Sequence, residues 1–178
     1  MKCIKKLVAL TLAAVLALAM LTACSGGGAQ LNAKFADDIV ATINGVRSDN
    51  KKDALKRAPA VEALFAEVAK AEAIYAADKT DENNKKVGEA GRNALAALEG
   101  LEIDGRKINV EATRRMNTLS YDMKDISLLK SVLESDNGNA WRNWFVLSDA
   151  PEYLAVVCAD YNGHNGIVMM GIVLESAE

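Results

Sequence analysis

The chain has 178 residues, with 21 basic side chains against 24 acidic ones, three cysteines and one histidine. Cysteine proteases, serine-triad hydrolases and zinc sites need at least one histidine held by specific partners, and structural zinc usually takes four Cys or His ligands. The cysteines stand at positions 3, 24 and 158 and the histidine at 164. We therefore expect no such cluster, no metal and no other cofactor.

The first 23 residues have the pattern of an export signal. Lys2, Lys5 and Lys6 form a basic start without an acidic residue, and residues 7–21 follow as an apolar run interrupted only by Thr11. A helix of that length spans about 22 Å, short of the roughly 30 Å hydrocarbon core of a bilayer. The pattern predicts a signal peptide that is removed, rather than a permanent transmembrane helix.

The residues Leu21-Thr-Ala-Cys24 resemble the lipobox of bacterial lipoproteins, in which a diacylglycerol thioether forms on the cysteine before cleavage just ahead of it. The resemblance implies that Cys24 is lipidated. It also implies an exported protein, held on the cell membrane by acyl chains such as palmitate and facing outside the cytoplasm. The alternative is an uncleaved apolar helix with a chance cysteine at its end. Because Ser25 and three glycines follow, we predict a flexible tether.

These boundaries divide the chain into a signal peptide at 1–23, the lipidated cysteine and tether at 24–33, and one domain at 34–178. Removal of the signal leaves 155 residues, with 18 basic side chains against 24 acidic ones and a net charge of −6. An acidic domain is a poor candidate for nucleic-acid binding, so we expect no such partner. Acylation of Cys24 leaves Cys158 without a disulfide partner, and we expect its thiol to be buried as a small apolar group.

Helical periodicity dominates the first half of the domain. Apolar residues recur at spacings of three and four in three segments with capping or turn residues at their ends: 34–47 after Asn32, 59–77 beginning with Pro59, and a third that starts at Thr80 or Asp81 and closes at Gly100. Many alanines in the second and third segments predict a plain helical hairpin in the core, with a dedicated partner-binding surface as the alternative.

The second half mixes turns, short helices and strands. Asp104-Gly105 predicts a tight turn, Asn109 and Asp125 can cap two further helices, and Trp141 and Trp144 have the spacing of helical core anchors. Residues 153–160 and 167–175 are nearly continuous apolar runs on either side of the turn sequence at 162–166. They predict a β-hairpin covered on both faces. We predict the α+β class, with a helix-rich N-terminal two-thirds and a C-terminal β-hairpin in a small antiparallel sheet.

The order of these pieces resembles the CAP superfamily, the SCP-like domain. The likeness rests on Asn44-Gly-Val-Arg47, the Ala-rich stretch 55–69, Ile103-Asp-Gly-Arg106 and the closing strands. It implies an α-β-α sandwich. The sequence departs from the family by about fifteen extra residues around 78–93. The positions expected for the family's two cavity histidines fall near Gly100 and Asn139, and neither has a histidine. Tyr121-Asp122 replaces the family's Glu-Asn motif. The resemblance therefore implies a member without the metal-binding cavity, and no site residue is carried over.

Two functions fit these observations. The first is a non-catalytic, membrane-tethered domain that binds an envelope protein, a glycan or a small apolar molecule. The alternative is a hydrolase of cell-wall or peptide substrates that uses paired carboxylates, such as Glu134 with Asp136 or Asp149 with Glu152. Surface acids of this kind are far more often solvated than catalytic, and 155 residues leave no room for a two-lobed solute binder.

The turn sequence at 162–166 predicts that His164 lies at an exposed hairpin tip, with a role as a proton carrier as the alternative.

Overall fold

The computed structural model describes residues 28–114, 125–135 and 139–176. The predicted α+β class is confirmed. In chain order the elements are β1 (Gln30–Leu31), α1 (Ala33–Asp49), β2 (Lys56–Arg57), α2 (Pro59–Ala77), α3 (Asp81–Leu98), β3 (Glu102–Ile103), β4 (Arg106–Lys107), α4 (Val110–Arg114), α5 (Ile126–Glu134), a π-helix (Arg142–Leu147), β5 (Tyr153–Tyr161) and β6 (His164–Ile172). The signal peptide, Cys24, Tyr121-Asp122 and Asp136 lie outside the described residues.

The long hairpin of β5 and β6 is the centre of the fold. Its strands pair antiparallel from Tyr153 opposite Ile172 to Tyr161 opposite His164. Asn162 and Gly163 make the connecting turn with φ of 54° and 80°, the left-handed geometry of the two-residue turns that match strand twist. The turn is thus shorter than predicted, and His164 is not at the tip but is the first, half-buried residue of β6.

Two short strands complete the sheet on the free edge of β5. β1 pairs antiparallel with its end, Gln30 opposite Asp160, and β2 pairs parallel with its start, Lys56 opposite Tyr153. The side chain of Leu31 packs against the buried cluster that includes residues of β5. The folded chain therefore begins earlier than predicted, inside the segment 24–33 that the sequence assigns to the tether.

Helices cover both faces of this sheet, as the apolar strands predict. Alternate side chains of β5 and β6 pack against α2 and α3 on one face: Tyr153, Ala155, Val157, Ala159, Val168, Met170 and Ile172. The intervening side chains pack against α1, α5 and the π-helix on the other: Leu154, Val156, Cys158, Ile167 and Met169. The result is a layer of strands between two layers of helices.

Glycines in β6 allow these layers to approach closely. A Cβ atom on Gly166 would lie 2.0 Å from the carbonyl oxygen of Ala69 and 2.4 Å from the amide nitrogen of Ala73, both in α2. On the opposite face, a Cβ on Gly171 would lie 2.4 Å from the indole nitrogen of Trp144. The backbone of β6 therefore contacts its helical neighbours directly at these two positions.

The predicted helix ends are confirmed by their capping contacts. The side chain of Asn32 accepts a hydrogen bond from the amide of Phe35 at 3.1 Å, and Asp125 accepts one from Ser127 at 2.8 Å. Thr80 caps α3, and Pro59 is the first residue of α2. Within the ranges described, no helix is both long and apolar enough to cross a membrane.

Candidate functional site

The carboxylates proposed as a catalytic pair are each bonded to a different basic side chain. Asp149 is 77% exposed and lies 2.7 Å from the ammonium of Lys52, while Glu152 lies 2.7 Å from the guanidinium of Arg106. The hydrogen bond from Lys52 lowers the pKa of Asp149. A general acid needs the opposite shift, so that it stays protonated near neutral pH. The two carboxylates therefore form two separate surface ion pairs, and Asp149 lacks the raised pKa that a general acid needs.

The second proposed pair is only partly described. Glu134 lies at the end of α5, half-exposed and 3.6 Å from Lys130 one turn earlier. Asp136 lies outside the described residues. Glu134 therefore has the surroundings of a solvated helix-surface carboxylate.

A polar cluster fastens the β3–β4 hairpin to the start of β5. The hydroxyl of Tyr153 donates a short hydrogen bond to the carboxylate of Asp104, and the ammonium of Lys56 lies 5.4 Å from the centre of the Tyr153 ring. The hydrogen bond to Asp104, with smaller contributions from burial and from the Asp104 and Glu152 carboxylates, raises the pKa of Tyr153. A phenol that holds its proton is a hydrogen-bond donor here, and its role is to position the hairpin.

Asn44, the first residue of the Asn-x-x-Arg motif, holds the loop between α1 and β2. Its side-chain oxygen accepts from the amide of Leu55 at 2.9 Å, and its nitrogen donates to the carbonyl of the same residue at 3.1 Å. Leu55 is buried at the end of that loop. The side chain of Asn44 thus satisfies the backbone amide and carbonyl of Leu55, as a neighbouring strand would, just before β2 begins.

Arg47, the last residue of the motif, is 2% exposed and joins two distant segments. Its Nε donates to the carbonyl of Asp53 at 2.6 Å, and its Nη1 donates to the carbonyls of Phe145 at 3.0 Å and Ser148 at 3.1 Å. Burial lowers the pKa of this guanidinium, opposed by the carboxylates of Asp149 and Asp53. The motif on which the family resemblance rests therefore has a structural role in this chain, which the sequence did not predict.

A second charged cluster fills the edge of β5 between β1 and β2. Arg57 donates to both carboxylate oxygens of Glu62, at 2.6 and 2.8 Å, and to Asp37 at 2.6 Å. Glu62 in turn accepts a hydrogen bond from the backbone amide of Val156 at 3.3 Å. The carboxylate thus occupies the place of a neighbouring strand, which protects an otherwise open sheet edge. Sequence analysis missed this cluster because it depends on the pairing of a two-residue strand.

Cys158 lies behind that cluster as the buried residue that the sequence predicts, and it is 2% exposed. Burial raises the pKa of its thiol to about 12, with Arg57 lowering it and Glu62 raising it to smaller extents. Only the thiolate is nucleophilic, so the side chain is chemically inert in the folded protein.

We expect Cys158 to react with Ellman's reagent at pH 8 about a thousandfold more slowly than a free cysteine, because its thiolate fraction is lower by that factor. The measurement uses the mature chain with Cys24→Ser, so that one thiol remains. In urea sufficient to unfold the protein, the same thiol should react completely and fast. Reaction at the free-thiol rate in the native state would show that the side chain is accessible.

A shallow groove of about 410 Å³ lies between α2 and α3. Apolar and polar side chains contribute equally to its lining: Leu64, Ala90, Ala94 and Ala97, with Glu67, Lys86, Glu89 and Asn93. Only Ala94 and Leu98 of α3 are buried, so this helix is the outer member of the pair. α2 is therefore part of the core, as the sequence predicts, while a dedicated partner-binding surface on the Ala-rich helices stays a prediction.

Among the residues with described positions, His, Cys, Asp and Glu side chains do not gather into a group of three or more that could hold a metal ion. No protein-family model, no curated protein and no solved structure matches the chain.

Proposed function

We propose that the protein is an exported lipoprotein, anchored to the cell membrane by acyl chains on Cys24. Its domain binds an envelope protein, a glycan or a small apolar molecule rather than catalysing a reaction. The observation that carries the proposal is the short distance along the chain from the lipobox to the fold. The first strand begins at Gln30, six residues after Cys24. A lipid on Cys24 would therefore hold the folded domain within a few residues of the membrane surface.

The geometry of the described acids supports binding over hydrolysis. Asp149 and Glu152 are each neutralised by a separate base, and the pKa of Asp149 is shifted away from that of a general acid. The groove between α2 and α3 is lined by both apolar and polar side chains, which a ligand or partner could contact.

We expect cells given radiolabelled palmitate to incorporate label into the wild-type protein and not into a Cys24→Ser variant. The matched control is Cys158→Ala, which removes the other cysteine of the mature chain and should keep the label. Immunoprecipitation and autoradiography measure the result. Label that persists in Cys24→Ser would contradict anchoring at this residue.

A further inference from the structure

The pairing of β1 fixes where the tether leaves the domain. β1 runs antiparallel to β5, with Gln30 opposite Asp160 and Leu31 opposite Ala159. Gly28 and Ala29, the described residues before Gln30, therefore lie toward the Asn162–Gly163 turn and away from Tyr153. The tether emerges at the turn end of the long hairpin.

The loop between α2 and α3 lies at the same end. α2 begins at Pro59, directly after β2 has paired with the start of β5, and it passes Gly166 of β6 at Ala69 and Ala73. It then continues by another turn to Ala77. Lys79, which is exposed in the loop that follows, is therefore close to the level of the hairpin turn. We call this the turn end of the domain.

The β3–β4 hairpin marks the opposite end. Its Asp104 is hydrogen-bonded to Tyr153, the first residue of β5, and its Arg106 bonds Glu152 at 2.7 Å and the backbone of Glu175 at 2.9 Å. Lys107 is exposed on β4. Strands of nine residues separate the two ends by about 30 Å.

The tether is too short for the domain to turn over. Six residues span at most about 20 Å when fully extended, and a Gly-rich chain of that length has a mean end-to-end distance of about 13 Å. If the β3–β4 end touched the lipid surface, Gln30 would lie at least about 23 Å from that surface, the length of β5 from Tyr153 to Asp160. That distance exceeds the reach of the tether. The net negative charge of the mature chain also disfavours adhesion of a flank to anionic lipid.

We infer that the turn end of the domain faces the membrane and that the β3–β4 end is presented away from it. This orientation rests on the proposed lipid anchor at Cys24. It assigns the exposed side chains of the β3–β4 end, Lys56, Asp104 and Glu152, to the surface that a partner reaches first.

Energy transfer from a labelled cysteine to dye-labelled lipid tests this orientation. The full-length lipoprotein is purified from cells with Lys79→Cys or Lys107→Cys and reconstituted into phosphatidylcholine vesicles that carry an acceptor dye on the headgroups. The two variants are matched because each removes one exposed lysine. The wild-type protein, whose other mature cysteines are acylated or buried, gives the background.

We expect transfer from position 79 to exceed transfer from position 107 by about threefold or more, because the two ends differ in height by about 30 Å. Equal transfer, or greater transfer from position 107, would overturn the orientation. Mass spectrometry of the same samples separates the two claims. If Cys24 carries lipid and the transfer is equal, only the orientation is wrong; if Cys24 carries none, the anchor and the orientation are both wrong.

Discussion

Gly166→Ala should lower the free energy of unfolding by about 3 kcal/mol, the upper part of the range for overpacked cores. The added methyl would lie 2.0 Å from a backbone oxygen of α2 and 2.4 Å from a backbone nitrogen. Neither atom can rotate away as a side chain can, so α2 must move as a unit and lose contacts with the sheet. For a domain of this size, urea denaturation should register that loss, and the melting temperature should fall by about 6–12 °C.

The matched control is Gly45→Ala in α1. This glycine is also inside a regular element, but a Cβ there meets no atom within 4 Å. Alanine should stabilise the protein by about 0.5–1 kcal/mol, because it restricts the unfolded chain and favours the helix. If both variants changed stability by the same small amount, the close approach of α2 to β6 would be wrong.

Arg47→Ala should lower the free energy of unfolding by about 3–5 kcal/mol, because several hydrogen bonds from a charged donor are lost together. The variant leaves the carbonyls of Asp53, Phe145 and Ser148 without the donor that now binds them. Hydrogen bonds from a charged donor each contribute about 1.5–3 kcal/mol, partly offset here by the cost of burying the guanidinium. Arg47→Lys should recover only part of the loss, because one ammonium cannot reach both the loop and the π-helix.

Arg92→Ala, on the exposed surface of α3, is the control for loss of an arginine and should change stability by less than about 0.5 kcal/mol. Urea denaturation gives both values. A second readout is hydrogen exchange at Asp53 and Leu55, which should accelerate in Arg47→Ala before global unfolding. An Arg47→Ala protein as stable as Arg92→Ala would show that the contacts of Arg47 contribute nothing.

Local signals made the hairpin of β5 and β6 predictable. Two continuous apolar runs on either side of a turn sequence determine a buried hairpin, and Asn32, Thr80 and Asp125 identify helix starts because each caps by bonding to its own neighbours. The predicted turn was too long, because the sequence contains two Asn-Gly dipeptides, Asn162-Gly163 and Asn165-Gly166. Only the register of the strands shows that the turn is at Asn162-Gly163. His164 was misplaced for that reason.

Long-range contacts were not predictable from one sequence. β1 and β2 have two residues each, too few for a periodic pattern, and they form only because β5 offers an edge. The contact between Arg47 and Phe145 joins residues 98 positions apart. The roles of Glu62 and Arg57 depend on the same edge. Patterns within a segment contain no information about such partners, which is why these buried and half-buried charges were missed.

Mass spectrometry of the N-terminal peptide of the protein isolated from membranes tests the central claim most directly. We predict that the mature chain begins at Cys24, and that this residue carries the mass of a diacylglycerol thioether. A chain that retains residues 1–23, or a Cys24 without lipid, would contradict the claim that this domain is held at the membrane surface by a lipid anchor.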